Sequence, residues 1–80
     1  MNVKILGSGC SKCNTLEQTI LRLNDALHLQ LHIEKVTDLK EMMQYGILTT
    51  PGLVIDGVLK SYGTIPKDEQ LLEWFKENKV

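Results

Sequence analysis

The chain has 80 residues, of which 42% are hydrophobic and 24% charged, a composition typical of one small globular domain. Its formal net charge of −1 gives no electrostatic basis for binding nucleic acid or an anionic membrane. No apolar run approaches the ~20 residues of a membrane-spanning helix and no secretory signal precedes the first strand, so we expect a single cytoplasmic domain over residues 1–80.

The first half of the chain predicts a strand, a long helix and a second strand. Residues 2–6 read as a short strand and are followed by a loop with two glycines. A helix is expected to begin at residue 10 or 11 and to end at residue 27 or 28. Its apolar positions recur at steps of three and four residues and form one stripe: Cys13, Leu16, Ile20, Leu23 and Leu27. Residues 29–35 then alternate apolar and polar side chains, which predicts the second strand.

The second half predicts a short helix, a hairpin and a last helix. Thr37 or Asp38 is expected to cap the short helix, with Asp38 and Glu41 fitting a capping pattern, and Gly46 is a natural stop. The apolar run 53–55 is followed by Asp56-Gly57, a strong hairpin signal, and by a return strand to Tyr62. Pro66 is expected to open the last helix.

The predicted order is therefore β-α-β-α-β-β-α. A β-α-β unit requires a parallel pair with a right-handed crossover, whereas the closing hairpin requires an antiparallel pair. A four-stranded mixed sheet with helices on both faces satisfies both, and the expected fold class is α/β.

The two cysteines, Cys10 and Cys13, are the most informative residues of the sequence. They lie where the first strand gives way to the first helix, and a bridge closing so short a loop adds little stability. Reversible redox chemistry or metal binding therefore explains them better than a structural role. A helix N-terminus favours the thiolate at Cys10, while Cys13 lies one turn later on the apolar stripe. We expect Cys10 to attack a substrate disulfide and Cys13 to resolve the mixed disulfide.

In this context the chain resembles the thioredoxin superfamily. The resemblance rests on Gly9-Cys10-Ser11-Lys12-Cys13 after the first strand, Thr50-Pro51 before the third, the hairpin Val54-Ile55-Asp56-Gly57, and Gly63 before the last helix. These motifs cover nearly the whole chain. It looks most like the small single-domain thioredoxin-like proteins of bacteria and archaea called redox-active disulfide proteins.

The resemblance implies a substrate groove beside the disulfide. Pro51 would be cis and lie next to the cysteines, and the backbone of Thr50 would pair with an extended substrate segment. Gly9, Gly63 and Thr64 would line the same groove. It also implies a monomer with no metal and no cofactor other than the Cys10–Cys13 disulfide, acting on protein disulfides and reduced by an enzyme of thioredoxin-reductase type.

The motif departs from that of thioredoxins in ways that leave the reduction potential open. Gly9 stands in place of a tryptophan, and Ser11-Lys12 in place of Gly-Pro. Thioredoxins also carry a buried acidic residue on the strand before the motif, where an ungapped count reaches Lys4. Only Gly63, followed by Thr64, stands where glutaredoxins carry the Gly-Gly turn that helps bind glutathione, which leaves glutathione dependence open.

Two other functions compete with disulfide exchange. Soft-metal modules that bind copper or zinc place a Cys-x-x-Cys pair at the same junction, but in the ferredoxin-like order β-α-β-β-α-β. A regulatory or interaction module would use the thioredoxin-like fold without turnover.

Overall fold

The structure, a computed structural model, describes residues 1–7, 10–47 and 49–77. Its elements follow one another in the predicted order, β-α-β-α-β-β-α. They are β1 (Asn2–Leu6), α1 (Ser11–Leu27), β2 (His32–Val36), α2 (Leu39–Gln44), β3 (Gly52–Ile55), β4 (Val58–Tyr62) and α3 (Asp68–Glu77).

The four strands form one mixed sheet in the order β2-β1-β3-β4. β1 and β2 are parallel and are joined through α1, whereas β3 is antiparallel to both β1 and β4. The β3–β4 connection is tight because Asp56 and Gly57 adopt φ angles of 49° and 85°, the left-handed pair that matches the twist of a hairpin. The predicted mixed sheet is confirmed.

Helices cover both faces of the sheet, also as predicted. On one face α1 and α3 enclose the larger core cluster, whose buried members are Val3, Ile5, Leu16, Ile20, Leu23, Leu53, Ile55, Leu71 and Phe75. On the other face the residues of α2 and its C-terminal turn, Met42 and Tyr45, pack against a smaller cluster of Leu6, Val36, Ile47 and Val54. The alternation of β1 side chains between these clusters fixes which face carries α1.

The second strand begins later than the sequence pattern predicts. It spans His32–Val36 rather than residues 29–35. His28 and Gln30 have positive φ angles of 50° and 57°, which no strand accommodates. The side chain of Asn24 also accepts a hydrogen bond from the N–H of Leu31 at 3.0 Å. Residues 28–31 are therefore a connection fastened to the end of α1, although Leu31 still packs on the larger cluster.

Two further expectations are wrong in detail. Leu27 is 49% exposed and does not extend the apolar stripe. A helix of 17 residues is about 25 Å long, against about 17 Å for a strand of five, so its last turn has little sheet to pack on.

The last helix begins at Asp68 rather than at Pro66, because the Lys67 carbonyl accepts its first hydrogen bond, from the N–H of Leu71. No helix in the described ranges is long and apolar enough to cross a membrane.

A buried hydroxyl in β4 leads to a stability prediction. The ladder between β3 and β4 shifts register after Leu53, which pairs with Ser61. In the described part of the chain Ser61 Oγ is buried without a hydrogen-bond partner, a condition that costs about 1–3 kcal/mol. Ser61→Ala should therefore raise the free energy of unfolding in urea by about 1 kcal/mol.

The control variant removes an exposed hydroxyl, which is not buried without a hydrogen-bond partner. Thr37 is exposed, and Thr37→Ala should change the free energy of unfolding by less than about 0.5 kcal/mol. A clear loss of stability in Ser61→Ala would show that the hydroxyl is satisfied.

Candidate active site

The candidate site lies where β1 ends and α1 begins. Cys10 and Cys13 form a disulfide, with their Cα atoms 5.2 Å apart. Cys10 is the N-cap of α1 and has an extended backbone, with φ −97° and ψ 154°. Its carbonyl oxygen accepts the first intrahelical hydrogen bond, from the N–H of Asn14 at 3.1 Å. Both cysteines therefore stand at the helix end that carries free N–H groups and partial positive charge.

The two sulfur-bearing residues are unequal, as the sequence predicts. Cys13 is 3% exposed, whereas Cys10 is only half-buried. The backbone N–H of Cys13 donates to Cys10 Sγ at 3.0 Å. In the reduced protein a donor at this position stabilises the thiolate form of Cys10 over the thiol. The more exposed cysteine, Cys10, is therefore also the one whose thiolate a backbone N–H stabilises.

Gly7, predicted only as part of a loop, belongs to this site. Its φ is 129°, and its N–H donates to the carbonyl oxygen of Val36 at 2.9 Å. A Cβ on Gly7 would lie 2.8 Å from Cys13 Sγ and 3.0 Å from the Cβ of Thr50. The missing side chain thus allows α1 and the segment before β3 to meet at the end of β1. The available signal was a glycine that directly follows a buried strand, three residues before Cys10.

The segment before β3 carries the other predicted site residues. The Thr50–Pro51 peptide bond is cis, which is the isomer that the resemblance implies. Pro51 is buried and Thr50 is exposed. Gly63, with a φ of 74°, donates its N–H to the carbonyl oxygen of Pro51 at 2.9 Å. Thr50 therefore lies near Cys13, because both residues border the same space at Gly7. Gly63 is hydrogen-bonded to Pro51.

Two predicted groove residues remain, Thr64 and Gly9. Thr64 is exposed and follows Gly63 in the bend after β4. Gly9 lies outside the described residues. Gly63 instead lies close to Thr49, since a Cβ on Gly63 would lie 2.7 Å from Thr49 Oγ1. The fit between these two segments depends on Gly63 having no side chain.

Lys4 is a cation held on the α2 face of the sheet. Its Nζ lies 3.6 Å from Glu41 Oε2. The pKa of Lys4 is raised, first by the phenolate of Tyr45 and then by the carboxylates of Glu41 and Glu34, which together outweigh partial desolvation. Lys4 is therefore charged at neutral pH, and it supplies no proton acceptor at the position where thioredoxins carry an acid.

This combination of a mixed four-stranded sheet, a disulfide at a helix N-terminus and an adjoining cis-proline defines a thioredoxin-like fold and site. The sequence matches the family described as "Thioredoxin domain" over residues 1–76. The chain belongs to this family and is a thiol–disulfide oxidoreductase.

Two relatives agree with this assignment, and a solved structure shares the fold. A protein of Methanocaldococcus jannaschii named "Thioredoxin" is 34% identical over 74 residues, which cover 92% of this chain and 85% of the relative. One of the same name from Methanothermobacter thermautotrophicus is 30% identical over 71 residues, covering 89% and 92%. A solved structure described as "Structure of a malarial protein" shares the fold, with a TM-score of 0.71, coverage of 99% and 97%, and 13% identity.

Proposed function

We propose that the protein reduces or exchanges disulfide bonds of other proteins through the pair Cys10–Cys13. The observation that carries the proposal is the disulfide between a half-buried Cys10 and a buried Cys13 at the start of α1. In this arrangement the sulfur of Cys10 can be reached by a substrate disulfide, whereas the buried sulfur of Cys13 can react only with Cys10.

The reaction consists of two exchanges. In the reduced protein the Cys10 thiolate attacks one sulfur of a substrate disulfide, forms a mixed disulfide and releases the other substrate sulfur as a thiolate. Cys13 then loses its proton and attacks Cys10 Sγ, which re-forms the Cys10–Cys13 bond and releases the second substrate thiolate. Two electrons pass to the substrate, and the protein is left oxidised.

The groove for an extended substrate segment is proposed to lie along Thr50. The exposure of Thr50, and the approach of its side chain to Gly7, which also borders Cys13, support this location. Pro51, Gly63 and Thr64 are proposed to continue this surface. Gly9, which lies outside the described residues, is proposed as a further groove residue from the family resemblance alone. Strand-like pairing through the backbone recognises a peptide without demanding one sequence, which suits a general reductant of protein disulfides.

The return to the dithiol requires an electron donor. We propose a reductase of thioredoxin-reductase type as the upstream partner, a cytoplasmic setting and a monomeric protein. The family assignment supports the reductase, and a lone redox-active bridge suits a reducing compartment.

The soft-metal alternative has less support. In the described order α2 lies between β2 and β3, whereas the ferredoxin-like order of that alternative has two strands in succession at this point. Redox chemistry therefore remains the proposed use of the cysteines.

The proposed function predicts catalysis of insulin reduction. The protein should accelerate the precipitation of insulin chains well above the rate with dithiothreitol alone, and it should accept electrons from NADPH through a thioredoxin reductase. Protein whose reduced cysteines have been alkylated with iodoacetamide is the control and should show no acceleration. Absence of turnover with either donor, together with tight copper(I) binding, would favour the soft-metal function instead.

A further inference from the structure

The sulfur of Cys13 rests against a backbone that has no room for a side chain. The position of a Cβ on Gly7 lies 2.8 Å from Cys13 Sγ, closer than carbon and sulfur atoms approach without a bond between them. Gly7 is buried and anchored, because its N–H is bonded to Val36 at the end of β2. The glycine therefore cannot move away from the sulfur without breaking the end of the sheet.

The cost of filling this space depends on the redox state. In the dithiol, Cys13 Sγ is the free end of a side chain that can turn to another rotamer. In the disulfide, the same sulfur is bonded to Cys10 at the helix cap and has no such freedom. A methyl group at position 7 should therefore raise the free energy of the disulfide more than that of the dithiol. The contact of the same methyl with Thr50 is common to both states and cancels in their comparison.

We propose that Gly7 is a positioning residue that sets the disulfide–dithiol balance of the protein by leaving room for Cys13 Sγ. In this proposal Gly7 acts through Cys13. This rests on the redox use of Cys10 and Cys13 proposed above, and it adds a residue outside the Cys-x-x-Cys motif that tunes the potential. Side chains at position 7 should make the protein a weaker reductant.

The test is the equilibrium of Gly7→Ala with dithiothreitol at fixed pH. One protein disulfide and one dithiothreitol dithiol give one protein dithiol and one cyclic dithiothreitol disulfide, so two electrons and two protons are exchanged. The fraction of dithiol is counted by thiol alkylation and mass spectrometry. Gly7→Ala should shift the equilibrium constant toward the protein dithiol by about tenfold, which corresponds to about 30 mV.

Two other glycines with positive φ provide controls for an alanine at such a position. Gly46 and Gly57 have positive φ angles of 77° and 85°, and a Cβ on either meets nothing within 4 Å. Gly46→Ala and Gly57→Ala should lower the midpoint of urea unfolding but leave the equilibrium with dithiothreitol within about twofold of the wild type. The proposal is overturned if Gly7→Ala also stays within about twofold, or if the controls shift as far as it does.

A second pair of variants decides the case in which Gly7→Ala does not fold. Cys13→Ala removes the sulfur that the new methyl would meet. If oxidised Gly7→Ala does not fold whereas reduced Gly7→Ala and the double variant Gly7→Ala with Cys13→Ala do, the contact with the disulfide-bonded Cys13 is the cause, as proposed. If the double variant also fails while Cys13→Ala folds, Gly7 serves the fold rather than the cysteine, and the proposal is wrong. Neither measurement involves turnover of a protein substrate, so failure here is distinct from failure of the proposed function.

Discussion

Replacing Cys10 by serine is expected to abolish disulfide reduction. A serine hydroxyl is not ionised near neutral pH and does not attack a disulfide, so insulin reduction should fall to the rate measured without protein. Cys13→Ser should also stop turnover, but at a different step. Its Cys10 thiolate still attacks, and the mixed disulfide persists because no second thiol resolves it.

The two variants are distinguished by what they retain. After incubation with oxidised insulin, reduced Cys13→Ser should carry a covalent insulin chain that is released by dithiothreitol and seen by intact-mass spectrometry. Cys10→Ser should carry little or none, because its remaining thiol belongs to a residue that is 3% exposed in the oxidised protein. Gln18→Ala, an exposed change on α1, is the control and should turn over as the wild type does.

The opposite pattern would reverse the assigned roles. If Cys10→Ser formed the stable adduct and Cys13→Ser did not, Cys13 would be the attacking cysteine. In cells, the same Cys13→Ser variant should retain physiological substrates as mixed disulfides, which identifies them.

The sequence was sufficient to predict the elements and the inequality of the cysteines because both follow from local patterns. The stripe through Cys13, Leu16 and Ile20 predicts which side of α1 is buried, and all three are buried in the structure. The predicted turn at Asp56-Gly57 is also present. Such features depend on side chains only a few residues apart.

What the sequence did not predict depends on contacts between distant segments. The role of Gly7 becomes visible only when Thr50, more than forty residues later, is placed against it. The start of β2 was also missed, because the alternation of residues 29–35 is genuine but the side chain of Asn24 holds the chain in a turn. In both cases a long-range or side-chain-to-backbone contact overrides a local pattern.

Phe75→Ala is expected to cause the largest loss of stability of any single substitution considered. Phe75 is 1% exposed in the larger core cluster and joins α3 to the sheet. Truncating a buried phenylalanine to alanine costs about 3–5 kcal/mol. A domain of 80 residues has a total stability of only about 4–12 kcal/mol. The variant should therefore unfold at much lower urea concentration, as followed by far-UV circular dichroism of the oxidised protein.

Two variants on the same helix separate loss of packing from loss of helix. Glu73 is exposed two residues earlier, and Glu73→Ala should change the free energy of unfolding by less than about 0.5 kcal/mol. Phe75→Leu keeps most of the buried volume and should lose clearly less stability than Phe75→Ala. Because α1 and α3 share one face of a sheet only four strands wide, a loss below about 1.5 kcal/mol in Phe75→Ala would mean that α1 alone closes the core. The helix that presents Cys10 and Cys13 would then be held in place without α3.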